Sequence, residues 1–64
     1  MYYWLKDFDG SQIYVIDDRS NKVYEVYEGK ATLLKMNKFQ LLRFNPYLEL
    51  VDTTAEFIYL KDKD

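Results

Sequence analysis

The chain contains neither histidine nor cysteine, so the commonest general base and the best sulfur nucleophile are both missing. What remains is Ser–Lys chemistry or a carboxylate pair. Ser11 follows Gly10 and Ser20 precedes Asn21, both in turn-like stretches where serine has an ordinary structural job. Asp17 and Asp18 are adjacent at a strand end, where alternation sends the two side chains to opposite faces and weakens them as an acid/base pair. Asp7-Phe8-Asp9-Gly10-Ser11 opens like a calcium loop, with Asp18 at the twelfth position from Asp7. Gln12 stands where that loop needs glycine, and the last ligand is not glutamate. Disulfides and Cys/His zinc sites are excluded by composition. Glycine-rich phosphate loops need more glycines than Gly10 and Gly29. The expectation is a protein with no catalytic residue, no metal and no cofactor.

Contact surface, by contrast, is abundant. Seven tyrosines, four phenylalanines and one tryptophan occur in 64 residues. Tyr2, Tyr3, Trp4, Phe8, Tyr14, Tyr24 and Tyr27 crowd the first 27. Tyrosine combines an apolar ring with a hydrogen-bonding tip, so it suits surfaces that are buried against a partner.

The elements that must position these residues read as α+β: a three-stranded antiparallel meander, one central helix, and a C-terminal strand or hairpin. Tyr2 to Phe8 is followed by the turn Asp9-Gly10-Ser11; Gln12 to Asp17 is followed by Asp18-Arg19-Ser20-Asn21; Lys22 to Glu28 ends at Gly29. A four-residue loop at 18–21 sets Asp17 opposite Lys22, Val15 opposite Tyr24 and Ile13 opposite Val26. A two-residue loop keeps the same faces, since only a one-residue slip exchanges them. Ile13, Val15, Tyr24 and Val26 are therefore the expected core, with Leu33, Leu41, Phe57 and Leu60 as companions.

Residues 31–44 are rich in Leu, Lys, Met, Gln and Arg and read as a helix stopped by Asn45-Pro46. Phe39 and Leu42 break its apolar stripe. The rival reading is a run of short strands in an all-β small barrel, because turn residues recur every ~8–10 positions. Tyr47 to Val51 and Ala55 to Lys61 read as strand, and 61–64 as a frayed tail.

One domain spanning 1–64 is all this length allows, and it is small enough to be marginal without help from oligomerisation. No apolar run approaches the ~20 residues of a membrane helix, and no signal-peptide core precedes Lys6. A cytoplasmic protein is expected, in the host cytoplasm if the gene is a phage's. The net charge of −2 hides a segregation. Residues 1–29 and 46–60 are acidic, while 30–45 carry Lys30, Lys35, Lys38 and Arg43 without an acid. The rings and the bases are thus separated, which argues against a phosphate-binding surface.

Asp17-Asp18, Tyr24-Glu25 and Gly29, followed by a helix-compatible run and a last strand, loosely resemble the small phage-encoded inhibitors of uracil-DNA glycosylase. The resemblance covers less than half of the chain and needs an insertion after Gly29. It implies a small inhibitor of a host protein and carries over no residue.

The functional expectation is a non-enzymatic protein-binding module, a phage-type inhibitor or adaptor that binds a host protein stoichiometrically. The alternatives are a single-stranded nucleic-acid-binding small β-barrel and a structural subunit of a homo-oligomer such as a homodimer. One helix covers one sheet face, so the second face of the hairpin, Tyr14, Ile16, Val23, Glu25 and Tyr27, is the expected partner-binding surface. The basic face of Lys35, Lys38 and Arg43 stands next in line.

Overall fold

The computed structural model describes residues 1–57 and the backbone of residues 60 and 61. In chain order the elements are β1 (Tyr2–Lys6), β2 (Ile13–Asp17), β3 (Lys22–Tyr27), β4 (Lys30–Asn37), α1 (Lys38–Phe44), β5 (Glu49–Thr54) and β6 (Leu60–Lys61). β1 to β4 pair consecutively as an antiparallel meander. β5 adds antiparallel to the free edge of β1, and the two-residue β6 lies parallel to β4. The result is an open antiparallel sheet of five strands with one short helix, an α+β or mostly-β architecture. The meander has four strands rather than the expected three. The barrel is not closed: no pairing among the described residues joins β5 to β4 or β6.

The β2–β3 hairpin has the register of the four-residue loop, with Asp17 opposite Lys22, Val15 opposite Tyr24 and Ile13 opposite Val26. Asp17 closes that loop itself. Its carboxylate accepts the Arg19 amide at 3.0 Å and the Ser20 hydroxyl at 3.0 Å, and its carbonyl accepts the Asn21 amide at 2.8 Å. Partial burial opposes ionisation of Asp17, but these hydrogen bonds and the N-terminal ammonium outweigh it and hold the carboxyl below its usual value.

Residues 31–44 divide into two elements, a correction to the single helix. Glu28-Gly29 is a two-residue hairpin loop with both φ positive, 51° and 77°, and it turns the chain into β4. Such turns match the twist of the strands they join, but favour Asn-Gly or Asp-Gly over glutamate. Leu33 and Leu34, consecutive on a strand, point to opposite faces: Leu33 packs with the Val15 group and Leu34 with the Val23 group. The strand ends where Asn37 caps α1. Its side chain accepts the Gln40 amide at 2.9 Å, and the Gln40 side chain accepts the Asn37 amide at 2.9 Å. This reciprocal pair satisfies two of the amides a helix start leaves open. The helix ends at Phe44, before Asn45-Pro46, as the stop signal requires.

Both sheet faces are covered, by different means. Leu41 of α1 packs on one face with Leu5, Tyr14, Ile16 and Val23. On the other face Val15, Tyr24 and Ala31 are buried with Phe57. The expected core residues Val15 and Tyr24 are buried and Ile13 and Val26 half-buried; Leu41 lies on the face opposite to the one expected. The Leu60 side chain is outside the described residues. Lys61, expected to fray, pairs with Ala31 in β6, and 62–64 are outside the described residues.

Phe57 reaches its place because β5 and β6 occupy opposite edges of the sheet. Five inter-strand steps separate them, about 24 Å if the sheet were flat. Six peptide steps from Thr54 to Leu60 span at most ~20–22 Å. The sheet must therefore curl, and Phe57, between the two strands in sequence, packs on the face that carries Val15 and Tyr24. Phe57 stands 5.4 Å from Tyr2, 5.6 Å from Trp4 and 5.2 Å from Tyr24, ring centre to ring centre. Those partners lie on β1 and β3, so the ring sits above β2 and seals Val15. Trp4 adds a second tie at the strap's start, donating from Nε1 to the Thr54 hydroxyl at 3.0 Å, which in turn donates to the Glu56 carbonyl at 2.9 Å.

Two stability changes follow, both read by urea and thermal unfolding. Phe57→Ala removes the ring that closes one core and is expected to cost about 3–5 kcal/mol, as much as a domain of this size commonly has. Glu28→Asn relieves a side chain held in the left-handed region and is expected to stabilise by roughly 0.5–1 kcal/mol.

Candidate functional site

Three of the most exposed large side chains are aromatic, two of them in turns where polar residues are usual and one, Phe44, on the last residue of α1. Phe8 is 81 % exposed, Phe44 81 % and Tyr47 76 %. They are far apart in sequence, and two side chains bring their backbones together. The Asp7 carboxylate oxygen Oδ1 accepts the Phe8 amide at 2.8 Å and the Asn45 side-chain amide at 3.4 Å. Asn45 Oδ1 accepts the Tyr47 amide at 3.3 Å. One acid and one amide thus tie the β1–β2 loop to the end of α1, with exposed Phe8 next to Asp7 and exposed Phe44 and Tyr47 flanking Asn45.

Local rules explain why the loops take these shapes. The Gly10 amide donates to the Asp7 carbonyl at 2.9 Å, closing a turn in which Gly10 supplies a φ of +73°. The Ser11 amide donates to Asp9 Oδ1 at 2.9 Å. The interaction with Ser11 holds the Asp9 carboxyl below its usual value. The Asp9 carboxylate is thus occupied with the backbone of its own loop. Among the described residues, no group of three carboxylates is close enough to hold a metal ion. At the other loop, the Asn45 amide caps Leu41 at 2.8 Å, and Pro46 blocks a further turn of helix.

Beside this loop pair lies an open concavity of about 370 Å³, lined by Ser11, Gln12, Glu25, Val26, Tyr27 and Thr32. The Tyr14 hydroxyl donates to Gln12 Oε1 at its margin. Burial raises the pKa of Tyr14, and the negative charges of Glu25 and Asp7 raise it further. Both carboxylates therefore act on the same small volume.

The expected partner surface is corrected by these positions. Tyr14, Ile16 and Val23 are 8 %, 4 % and 0 % exposed, because α1 packs on their face and the C-terminal strap takes the other. Only Glu25, half-buried, and Tyr27, 70 % exposed, remain reachable, and both line the concavity. The basic face is partly used up. Lys38 pairs with Asp18 at 3.3 Å and lies 5.3 Å from the Phe39 ring centre, while Lys35 and Arg43 are exposed. Phe39 and Leu42 are exposed on α1 as well, which accounts for their break in its stripe. Phe8, Phe44 and Tyr47 were not among the expected site residues. Their signal was an aromatic ring inside a turn motif, Asp-Phe-Asp-Gly and Phe-Asn-Pro-Tyr.

No helix among the described residues is long and apolar enough to cross a membrane. Comparison with models of protein families, with curated proteins and with solved structures finds no match for this chain.

The Tyr14 environment predicts an alkaline signature. With a raised folded pKa, the stability that Tyr14 contributes is fully present below its ordinary value of 10.0 and is lost as pH rises through the folded value. Unfolding midpoints measured from neutral to strongly alkaline pH should fall less steeply for Tyr14→Phe than for the wild type.

Proposed function

We propose that this chain is a non-enzymatic module that binds one protein partner stoichiometrically through its loop end. The observation that carries the reading is the group of Phe8, Phe44 and Tyr47, exposed yet set beside Asp7 and Asn45, whose side chains hold the Phe8 and Tyr47 amides and hydrogen-bond to each other. A domain with this few residues gains by burying rings in its core, and it buries Tyr14, Tyr24 and Phe57. Leaving three others in water on ordered loops fits a contact surface, since large aromatics supply most of the energy at interface hot spots. Preorganised loops also lower the ordering cost of association. The charges at this end are mixed, Asp7, Asp9, Glu25 and Glu49 against Lys6, which pairs with Glu49 at 3.8 Å, and Arg43; the excess of carboxylates favours a protein surface over a phosphate backbone as the occupant.

The test combines Phe8→Ser, Phe44→Ser and Tyr47→Ser. Exposed positions such as these seldom change stability by more than about 0.5 kcal/mol, so the variant should keep the wild-type unfolding midpoint. Wild-type protein recovered from its own cells is expected to carry a partner at fixed stoichiometry, and the triple variant to lose it. A wild-type protein that is recovered alone and stays monomeric in light scattering contradicts the proposal. So does a folded triple variant that keeps the same partner.

A further inference from the structure

We infer that the concavity lined by Ser11, Gln12, Glu25, Tyr27 and Thr32 is the subsite for an arginine side chain of the protein partner. The inference rests on the binding-module reading and adds the chemistry of the partner. The space of about 370 Å³ lies at the lower end of ordinary ligand pockets, enough for one long side chain. Its wall combines one carboxylate, from Glu25, with the exposed ring of Tyr27 two residues along the same face of β3. A carboxylate beside an aromatic face suits a guanidinium, which forks onto the oxygens and stacks on the ring. Ser11, Gln12 and Thr32 add oxygens that can accept its remaining N–H groups.

Charge complementarity points the same way. Within two residues of the lining stand the carboxylates of Asp9 and Glu28, and Asp7 and Glu25 both bear on the Tyr14 hydroxyl at the margin. The one base on the adjoining strand start is Lys30, opposite Tyr27. Lys6, the chain neighbour of Asp7, is paired with Glu49 at 3.8 Å, so the carboxylates keep the excess, which concentrates cations here and speeds the approach of a basic surface. The concavity also adjoins the loop that carries Phe8, since Ser11 and Gln12 belong to that loop. A partner that seats an apolar patch on Phe8, Phe44 and Tyr47 would have an arginine at its border within reach of Glu25.

The experiment is an amide chemical-shift titration of the whole chain with N-acetyl-arginine methylamide. Its neutral isostere, N-acetyl-citrulline methylamide, and free spermidine serve as the other arms. The arginine compound is expected to shift the amides of Ser11, Gln12, Glu25, Tyr27 and Thr32 saturably. Citrulline is expected to leave them in place, and Glu25→Gln to weaken the arginine effect about tenfold, the difference between a charged and a neutral acceptor. Should Glu25→Gln fail to fold, Tyr27→Ala at an exposed position carries the same expectation. Absence of shifts, equal shifts with citrulline, or an unchanged affinity in the folded variant overturns the inference. Spermidine binding as tightly as arginine overturns the protein side chain as the occupant. Loss of the partner in the triple aromatic variant, together with no arginine shifts, removes this subsite and leaves the module reading standing.

Discussion

Everything in this fold depends on β5 and β6 standing at opposite edges of one sheet although Thr54 and Leu60 are only six positions apart in the chain. β5 hydrogen-bonds to β1 and β6 to β4, so the chain must cross the whole sheet between them. The crossing is too short for a flat sheet, and curvature and coverage therefore arrive together. Phe57 is the product of that constraint: a single ring, set among Tyr2, Trp4 and Tyr24, serves as the second layer on a face that has no helix. A 64-residue chain without cysteine has few other ways to close a second core.

The same constraint decides where function can reside. With α1 on one face and the strap on the other, neither broad face of the hairpin is left for a partner. Surface stays open along the edge strand β5, on the outer side of α1, and at the ends, where loops meet. At one end, Lys38 and Asp18 neutralise each other. At the other, Asp7 and Asn45 spend their hydrogen bonds on holding two loops together, and the rings beside them stay in water. The segregated charges of the sequence divide in space, with Asp7, Asp9, Glu25 and Glu28 toward the aromatic end and Asp17 and Asp18 at the other.

Much of the sheet was legible in the residues. Asp17 through Lys22 contains its own loop closure, and the alternation of Ile13, Val15, Tyr24 and Val26 fixes one register. Asn45-Pro46 marks the end of the helix because proline cannot extend it. The β3–β4 hairpin was hidden, since glutamate is a poor resident of a turn with positive φ and Glu28-Gly29 does not announce one. Leu33-Leu34 gave a helical stripe as readily as a two-faced strand. The pair Asn37 and Gln40, three apart, was the available sign that a helix begins there. The apolar run Ile13 to Ile16 shows that neither face suits water, yet the expectation left one face to a partner, because Phe57, which covers the Val15 face and frees α1 for the other, lies more than 40 positions away. Of the expected surface, Glu25 and Tyr27 stay accessible toward the end of β3, and Tyr14, Ile16 and Val23 are buried.

Seven tyrosines make the central claim directly measurable. Brief nitration of the native protein, read residue by residue by mass spectrometry, reports which rings meet solvent. The account holds that Tyr14 is sealed by α1 and Tyr24 by Phe57, while Tyr27 and Tyr47 stand at the open end. Rapid modification of Tyr27 and Tyr47, with Tyr14 and Tyr24 protected until the chain is unfolded, is the predicted result. Early modification of Tyr14 or Tyr24 would contradict it, because one of the two sheet faces would then be open.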